Sequence, residues 1–177
     1  MAHTIIAALL LCLLPFFGYG VEGQLRQQTA STLDTGFCQG TCPAGWVSFK
    51  NHCFQYIDVR KTWIDSELHC LSLGGNLAST HSEEEFQFIK ALIKSRDSAE
   101  NHTWIGLTDC SKEGTWLWTD GSKVDFTKWN RGEPNESSGG EDCGHTNWGA
   151  EKGWNDMPCD FSYASVCARH SGVQHVA

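Results

Sequence analysis

Basic residues are scarce: 13 Lys and Arg stand against 21 Asp and Glu, for a formal net charge of −8. Phosphate contacts need clustered cations, so this balance argues against a nucleic-acid partner and against adhesion to anionic lipid. Beyond Phe17 no apolar run approaches the roughly 20 residues that a membrane-spanning helix needs, which argues against membrane insertion of the mature chain. No CxxC pair occurs, so a zinc site is disfavoured. No Ser, Cys or His falls in a nucleophile or metal-hydrolase motif. The 8 His therefore read as ordinary surface residues, and the chain reads as a binding protein rather than an enzyme. No internal repeat, heptad pattern or low-complexity tract interrupts the 177 residues, a length that suits one domain.

What is present begins with an apolar run from Ile5 to Phe17, the length of a signal-peptide core. Small residues around Gly20 place cleavage after residue 20, with cleavage after Gly23 as the alternative. Export makes the nine cysteines informative. Cys12 leaves with the leader. Cys38, Cys42, Cys53, Cys70, Cys110, Cys143, Cys159 and Cys167 remain, an even set that reads as a disulfide framework in a small exported chain. Residues 21–41 are polar and read as a flexible arm. A globular domain is expected over 42–169, followed by a short tail, 170–177.

Within the domain, Trp46 to Phe49 and Cys53 to Tyr56 predict two strands joined by a turn at Lys50-Asn51-His52. Thr62 to Leu73 predicts a helix, ended by Gly74-Gly75, with Trp63, Leu68 and Leu71 as its buried side. Ser82 to Ile93 predicts a second helix. Ser82 and Glu85 form a capping box, and Phe86, Ile89 and Ile93 recur on one face. Short apolar pieces follow at Trp104 to Leu107, Thr115 to Trp118 and Ala164 to Cys167. Between the last two lies Asp125 to Pro158, rich in Gly, Asn, Glu and Trp and with little periodicity. A connection that long is usually functional or disordered, and its Trp and Cys content argues against disorder.

Oxygen-bearing side chains cluster in this second half: Glu133-Pro134-Asn135, Glu141-Asp142, Asn155-Asp156, and Asp109 with Glu113. Calcium takes six to eight oxygen ligands and mixes carboxylates with amide carbonyls. Glu133, Asn135, Glu141, Asn155 and Asp156 supply that mixture. A cis bond at Glu133-Pro134 would turn the chain tightly and let the flanking side chains point one way. A single Glu or Asn in a loop is ordinarily just solvated, so the joint order of these residues carries the weight.

That order resembles the C-type lectin carbohydrate-recognition domain. Glu133-Pro134-Asn135 is followed by Glu141-Asp142-Cys143, then Trp154-Asn155-Asp156, Cys159 and Cys167. Trp104-Ile105-Gly106-Leu107 and two helices come before. The resemblance covers residues 42–169. It implies an α+β fold, with two helices packed on small antiparallel sheets, a long calcium-binding loop and disulfide staples. It implies the pairs Cys70–Cys167 and Cys143–Cys159, and Cys42–Cys53 as the extra hairpin bridge of the family's long form. Cys38 and Cys110 fit no standard pair: they bond each other, or Cys38 links two chains into a homo-oligomer.

By the same resemblance, Ca2+ is the cofactor and glycans are the partners. One ion is held by Glu133, Asn135, Glu141, Asn155 and Asp156 and completes its coordination with two vicinal sugar hydroxyls. Glu133 and Glu141 accept from those hydroxyls, and Asn135 and Asn155 donate to them. Glu-Pro-Asn resembles the mannose-type motif, which favours equatorial 3- and 4-hydroxyls. Asp109, Glu113, Glu136, Glu141 and Asp142 match an auxiliary calcium site, with Glu136 standing where relatives often have Asn. The family suggests binding of microbial surfaces. Two sequons occur, at Asn101 and Asn135. A glycan on Asn135 would block a ligand, so Asn101 is the expected glycosylation site. Type II antifreeze proteins share many of these features, which makes ice binding the alternative, together with a protein-binding module on the same fold.

Overall fold

The computed structural model describes residues 42–137 and 139–172. The expected signal peptide (1–20), the arm (21–41, with Cys38) and residues 173–177 of the tail lie outside the described residues. The described chain runs β1 (Val47–Phe49), β2 (His52–Lys61), α1 (Trp63–Ser72), β3 (Asn76–Leu77), α2 (Glu83–Arg96) and β4 (Thr103–Thr108). It continues with β5 (Leu117–Trp118), β6 (Cys143–Trp148), β7 (Gly153–Met157) and β8 (Tyr163–His170). The strands hydrogen-bond in the order β1-β2-β8-β4-β6-β7, with β3 added on β8 and β5 on β4. Every pairing is antiparallel except β4 with β8.

Helix α2 follows its sequence signals closely. Ser82 caps it by accepting from the Glu85 N–H at 3.3 Å, and the Glu85 carboxylate accepts from the His81 N–H at 2.7 Å. Phe86, Ile89, Leu92 and Ile93 form its buried face. Helix α1 departs from expectation. Trp63, Ser66, Glu67 and Cys70 are buried, whereas Leu68 and Leu71 are 56% and 50% exposed. The helix is turned so that Cys70 reaches Cys167 in β8 and Glu67 reaches β3. The buried Glu67 carboxylate accepts from Asn76 Nδ2 at 2.6 Å and from the Leu77 N–H at 2.7 Å. Those bonds offset the cost of burying a charge and fix which face of α1 points inward.

The core lies between the helices and the sheet. Ile57, Trp63, Leu77 and Trp104 pack around the Cys70–Cys167 and Cys143–Cys159 bridges. Both indoles are satisfied: Trp63 Nε1 donates to the Ile105 carbonyl at 2.8 Å, and Trp104 Nε1 to the Lys61 carbonyl at 3.0 Å. Gly106 of β4 sits where an added Cβ would lie 2.6 Å from the Leu77 carbonyl oxygen, so only glycine admits this close approach of β3. A third bridge, Cys42–Cys53, holds the start of the described chain to β2. In the chain-entropy description, closures of this kind stabilise a fold by about 3 to 5 kcal/mol each.

The stretch 125–158 also differs from expectation. It is not one irregular connection, because its second half is the β6–β7 hairpin. The irregular part covers 119–137 and 139–142, is tied to β7 by a bridge between Trp129 and Trp154, and is flanked at both ends by strands. Cys110, one of the two cysteines left without a partner by family resemblance, is exposed and has no disulfide partner among the described residues; its Sγ lies 3.7 Å from Cys159 Sγ.

Candidate functional site

The β6–β7 register sets the site. Cys143 lies opposite Met157, Gly144 opposite Asp156, and His145 opposite Asn155. The Asn155-Asp156 pair thus sits on a rigid strand, with Glu141-Asp142 entering its neighbour. Asp156 is fully buried, and its carboxylate accepts from the backbone N–H groups of Asn135 and Glu136, each at 3.0 Å to Oδ2. This draws the distant Glu133–Glu136 segment onto the strand pair. The Glu133–Pro134 peptide is cis. Glu133 and Asn135 face the same way, with Asn135 Nδ2 donating to Glu133 Oε2.

Ser137 closes the ring of contacts. Its N–H donates to Asn135 Oδ1 at 2.7 Å and to Glu141 Oε2 at 3.0 Å, and its hydroxyl reaches both Glu141 oxygens. Glu133, Asn135, Glu141 and Asp156 therefore meet in one basin. Asn155 joins through its neighbour: Asn155 Nδ2 donates to the Asp156 carbonyl and, at 3.2 Å, approaches Nε2 of His145. Both N–H bonds of Asn155 are thus engaged. A sugar hydroxyl would have to displace one of them, which the motif alone did not reveal.

The electrostatics match a cation. Burial pushes the Glu133 carboxyl above its usual range, and the Asp156 and Glu141 charges add to that. Burial raises Asp109 as well, against a bond from the Gly114 N–H, with Asp142 and Glu136 pushing the same way as burial. The carboxylate oxygens of Asp109, Glu136 and Asp142 lie within 4.8 Å of one another. Asp109 Oδ1 and Glu136 Oε1 are buried with no hydrogen-bond partner. Orphaned anionic oxygens facing one another are costly unless a positive charge joins them, and an all-oxygen donor set suits calcium. The residues present fit the ion. Glu113 is exposed and outside this trio, though burial and the same three acids raise its carboxyl.

His145 contradicts its reading as a surface residue. It is fully buried, with Trp104 and Trp148 each 5.9 Å away in edge-on arrangement. Burial, and secondarily the nearby His102, lower its pKa to about 3, so the ring is neutral. Its place two residues after Cys143 gave no usable signal, because Gly144 and Thr146 on either side of it are buried as well. Ser137 was also missed, because its local sequence marks it only as the last residue of the Asn135 sequon.

A serine, a histidine and an aspartate do meet elsewhere. Ser122 Oγ is 3.2 Å from His81 Nε2, and His81 Nδ1 is 2.9 Å from Asp125. The Ser122 hydroxyl donates to Asp120 at 2.5 Å, so its proton faces a carboxylate rather than the imidazole that would have to remove it. A groove of about 360 Å³ lined by Gln55, Tyr56, Asp58, Leu92 and Arg96 contains none of the candidate ligands.

Comparison with known proteins follows the same lines. Residues 59–169 match the family model described as Lectin C-type domain. The chain is 49% identical over 136 residues to lactose-binding lectin l-2 of Anguilla japonica, covering 75% of this chain and 80% of that one. Its fold is similar to that of herring type II antifreeze protein, with a TM-score of 0.67, 37% identity, and coverage of 73% of this chain and 98% of that one. It is equally similar to the cow carbohydrate-recognition domain of CD23 crystallised with a GlcNAc2Man3 oligosaccharide. There the TM-score is 0.67 at 34% identity, over 75% of this chain and 98% of that one.

Proposed function

The chain belongs to the C-type lectin domain family, and from that premise we propose that it binds glycans through calcium held by Glu133, Asn135, Glu141, Asn155 and Asp156. The observation that carries the reading is the pair of bonds that the Asn135 and Glu136 N–H groups donate to Asp156, which joins the two candidate ligand segments into one basin. When bound, calcium supplies coordination positions for two vicinal sugar hydroxyls. Glu133 and Glu141 accept from those hydroxyls, and Asn135 donates. Asn155 donates only by exchanging its bond to the Asp156 carbonyl. We read the basin as binding rather than catalytic, with its carboxylates serving as ion ligands.

The Glu-Pro-Asn motif favours mannose-type glycans with equatorial 3- and 4-hydroxyls. The name of the eel relative favours a second reading, β-galactosides on the same ion. Retention on mannose- and lactose-agarose with calcium, followed by EDTA release, separates the two. Retention on lactose alone overturns the mannose preference. The antifreeze relative supports ice binding as the alternative outside sugar chemistry, and thermal hysteresis in purified protein would establish it.

The basin is open, so affinity for a single sugar should be near millimolar, about −4 kcal/mol, and useful binding calls for several sites on one assembly. Export, a Cys38-linked oligomer, a glycan on Asn101 rather than Asn135, and a role at microbial surfaces complete the proposal. A second calcium at Asp109, Glu113, Glu136, Glu141 and Asp142 belongs to it too, supported by the orphaned Asp109 and Glu136 oxygens. A glycan array run with and without calcium tests the whole; binding that is indifferent to calcium refutes it.

A further inference from the structure

We propose that His145 is a positioning residue for the cation basin: its imidazole fixes the carboxamide of Asn155 so that the oxygen, not the nitrogen, is presented for coordination. The inference rests on the calcium reading above. His145 Nδ1 lies 3.2 Å from the Thr146 carbonyl oxygen, which can only accept, so Nδ1 carries the proton. Nε2 then has a bare lone pair, and Asn155 Nδ2 lies 3.2 Å from it. An amide nitrogen can donate into that lone pair, whereas an amide oxygen would meet it lone pair to lone pair.

The second acceptor on Asn155 Nδ2 is the Asp156 carbonyl, which enforces the same orientation. Turning the amide over would set its oxygen against two acceptors and aim an N–H at the cation. The imidazole is itself held. It packs edge-on to Trp104 and Trp148 and against Tyr163, with centroids 5.5 Å apart in the last case, and it lies directly opposite Asn155 in the β6–β7 ladder. Ring, amide and basin are thus connected through rigid strand backbone rather than loop, the arrangement in which a supporting hydrogen bond is most effective.

Three measurements on the full chain test this. In EDTA, the long-range proton–nitrogen spectrum of the unaltered protein should show His145 protonated at Nδ1 and bare at Nε2; a ring protonated at Nε2 overturns the proposal without any variant. His145→Phe keeps the ring volume and removes the acceptor. It should melt cooperatively in EDTA yet raise the calcium dissociation constant about tenfold or more, the usual range for lost supporting bonds. His145→Gln restores an acceptor and should return affinity to within about threefold of the unaltered protein. Unchanged affinity in His145→Phe, or equal loss in both variants, overturns the positioning role. Failure of the unaltered protein to take up calcium is a different result: it removes the calcium reading on which the role depends.

Discussion

Asp156 separates two jobs that a ligand motif would merge. Its carboxylate is placed among the candidate ligands, and it also holds the backbone of Asn135 and Glu136. Asp156→Asn keeps the shape and, with its amide oxygen in the place of Oδ2, still accepts from both N–H groups, but it removes the charge and turns a donor toward the Asn135 N–H. Charge-assisted bonds contribute about 1.5–3 kcal/mol each and neutral ones about 0.5–1.5, so both bonds weaken. The expected loss is about 2–4 kcal/mol of folding stability, measured by urea denaturation in EDTA. Glu133→Gln is the control. Burial, a hydrogen bond to Asp156 and the charges of Asp156 and Glu141 raise the Glu133 carboxyl, so its ionised form opposes folding at neutral pH. That penalty is present above the raised pKa and disappears as pH falls through it. The Gln variant should therefore be as stable as the parent or more so in EDTA, while weakening calcium uptake. If Asp156→Asn stays within about 0.5 kcal/mol of the parent in EDTA, the bracing role is wrong.

Helix α1 offers a second contrast. Glu67→Ala strands the Leu77 N–H and the Asn76 amide and should cost about 3 kcal/mol, whereas Leu68→Ala on the exposed face should stay within about 0.5 kcal/mol, both read by urea denaturation. Acid supplies another. Asp109 and Glu133 hold their protons above the usual carboxylate range, so calcium uptake and sugar retention should decline from neutral to mildly acidic pH; a decline confined to strongly acidic buffer would contradict those environments.

Helix α2 was legible because its cap, its period and its packing agree. Ser82 with Glu85 marked its start, and Phe86, Ile89 and Ile93 marked its face. Helix α1 was read rightly at Trp63 and wrongly at Leu68 and Leu71, because its other inward partners are polar or covalent. Glu67 bonds β3 and Cys70 bonds β8, and neither appears in a count of apolar residues. The β6–β7 hairpin was hidden for a related reason. Gly144, His145, Thr146 and Asn147 are all buried yet mostly polar, so the strand shows no apolar alternation. A reading built on hydrophobic period passes over a strand that buries polar groups. The candidate ligands were picked out by their order along the chain. How Asp156, Ser137 and His145 hold them depends on contacts across many residues of sequence, and no local spacing encodes that.

Calorimetric titration of the correctly bridged protein with calcium bears most directly on the proposed role. Heat of uptake with a dissociation constant of about 0.1–1 mM, the range of extracellular calcium modules, is the expected result. A flat titration through about 10 mM calcium, on protein whose three disulfides are intact, would mean that the basin of Glu133, Asn135, Glu141, Asn155 and Asp156 holds no such ion.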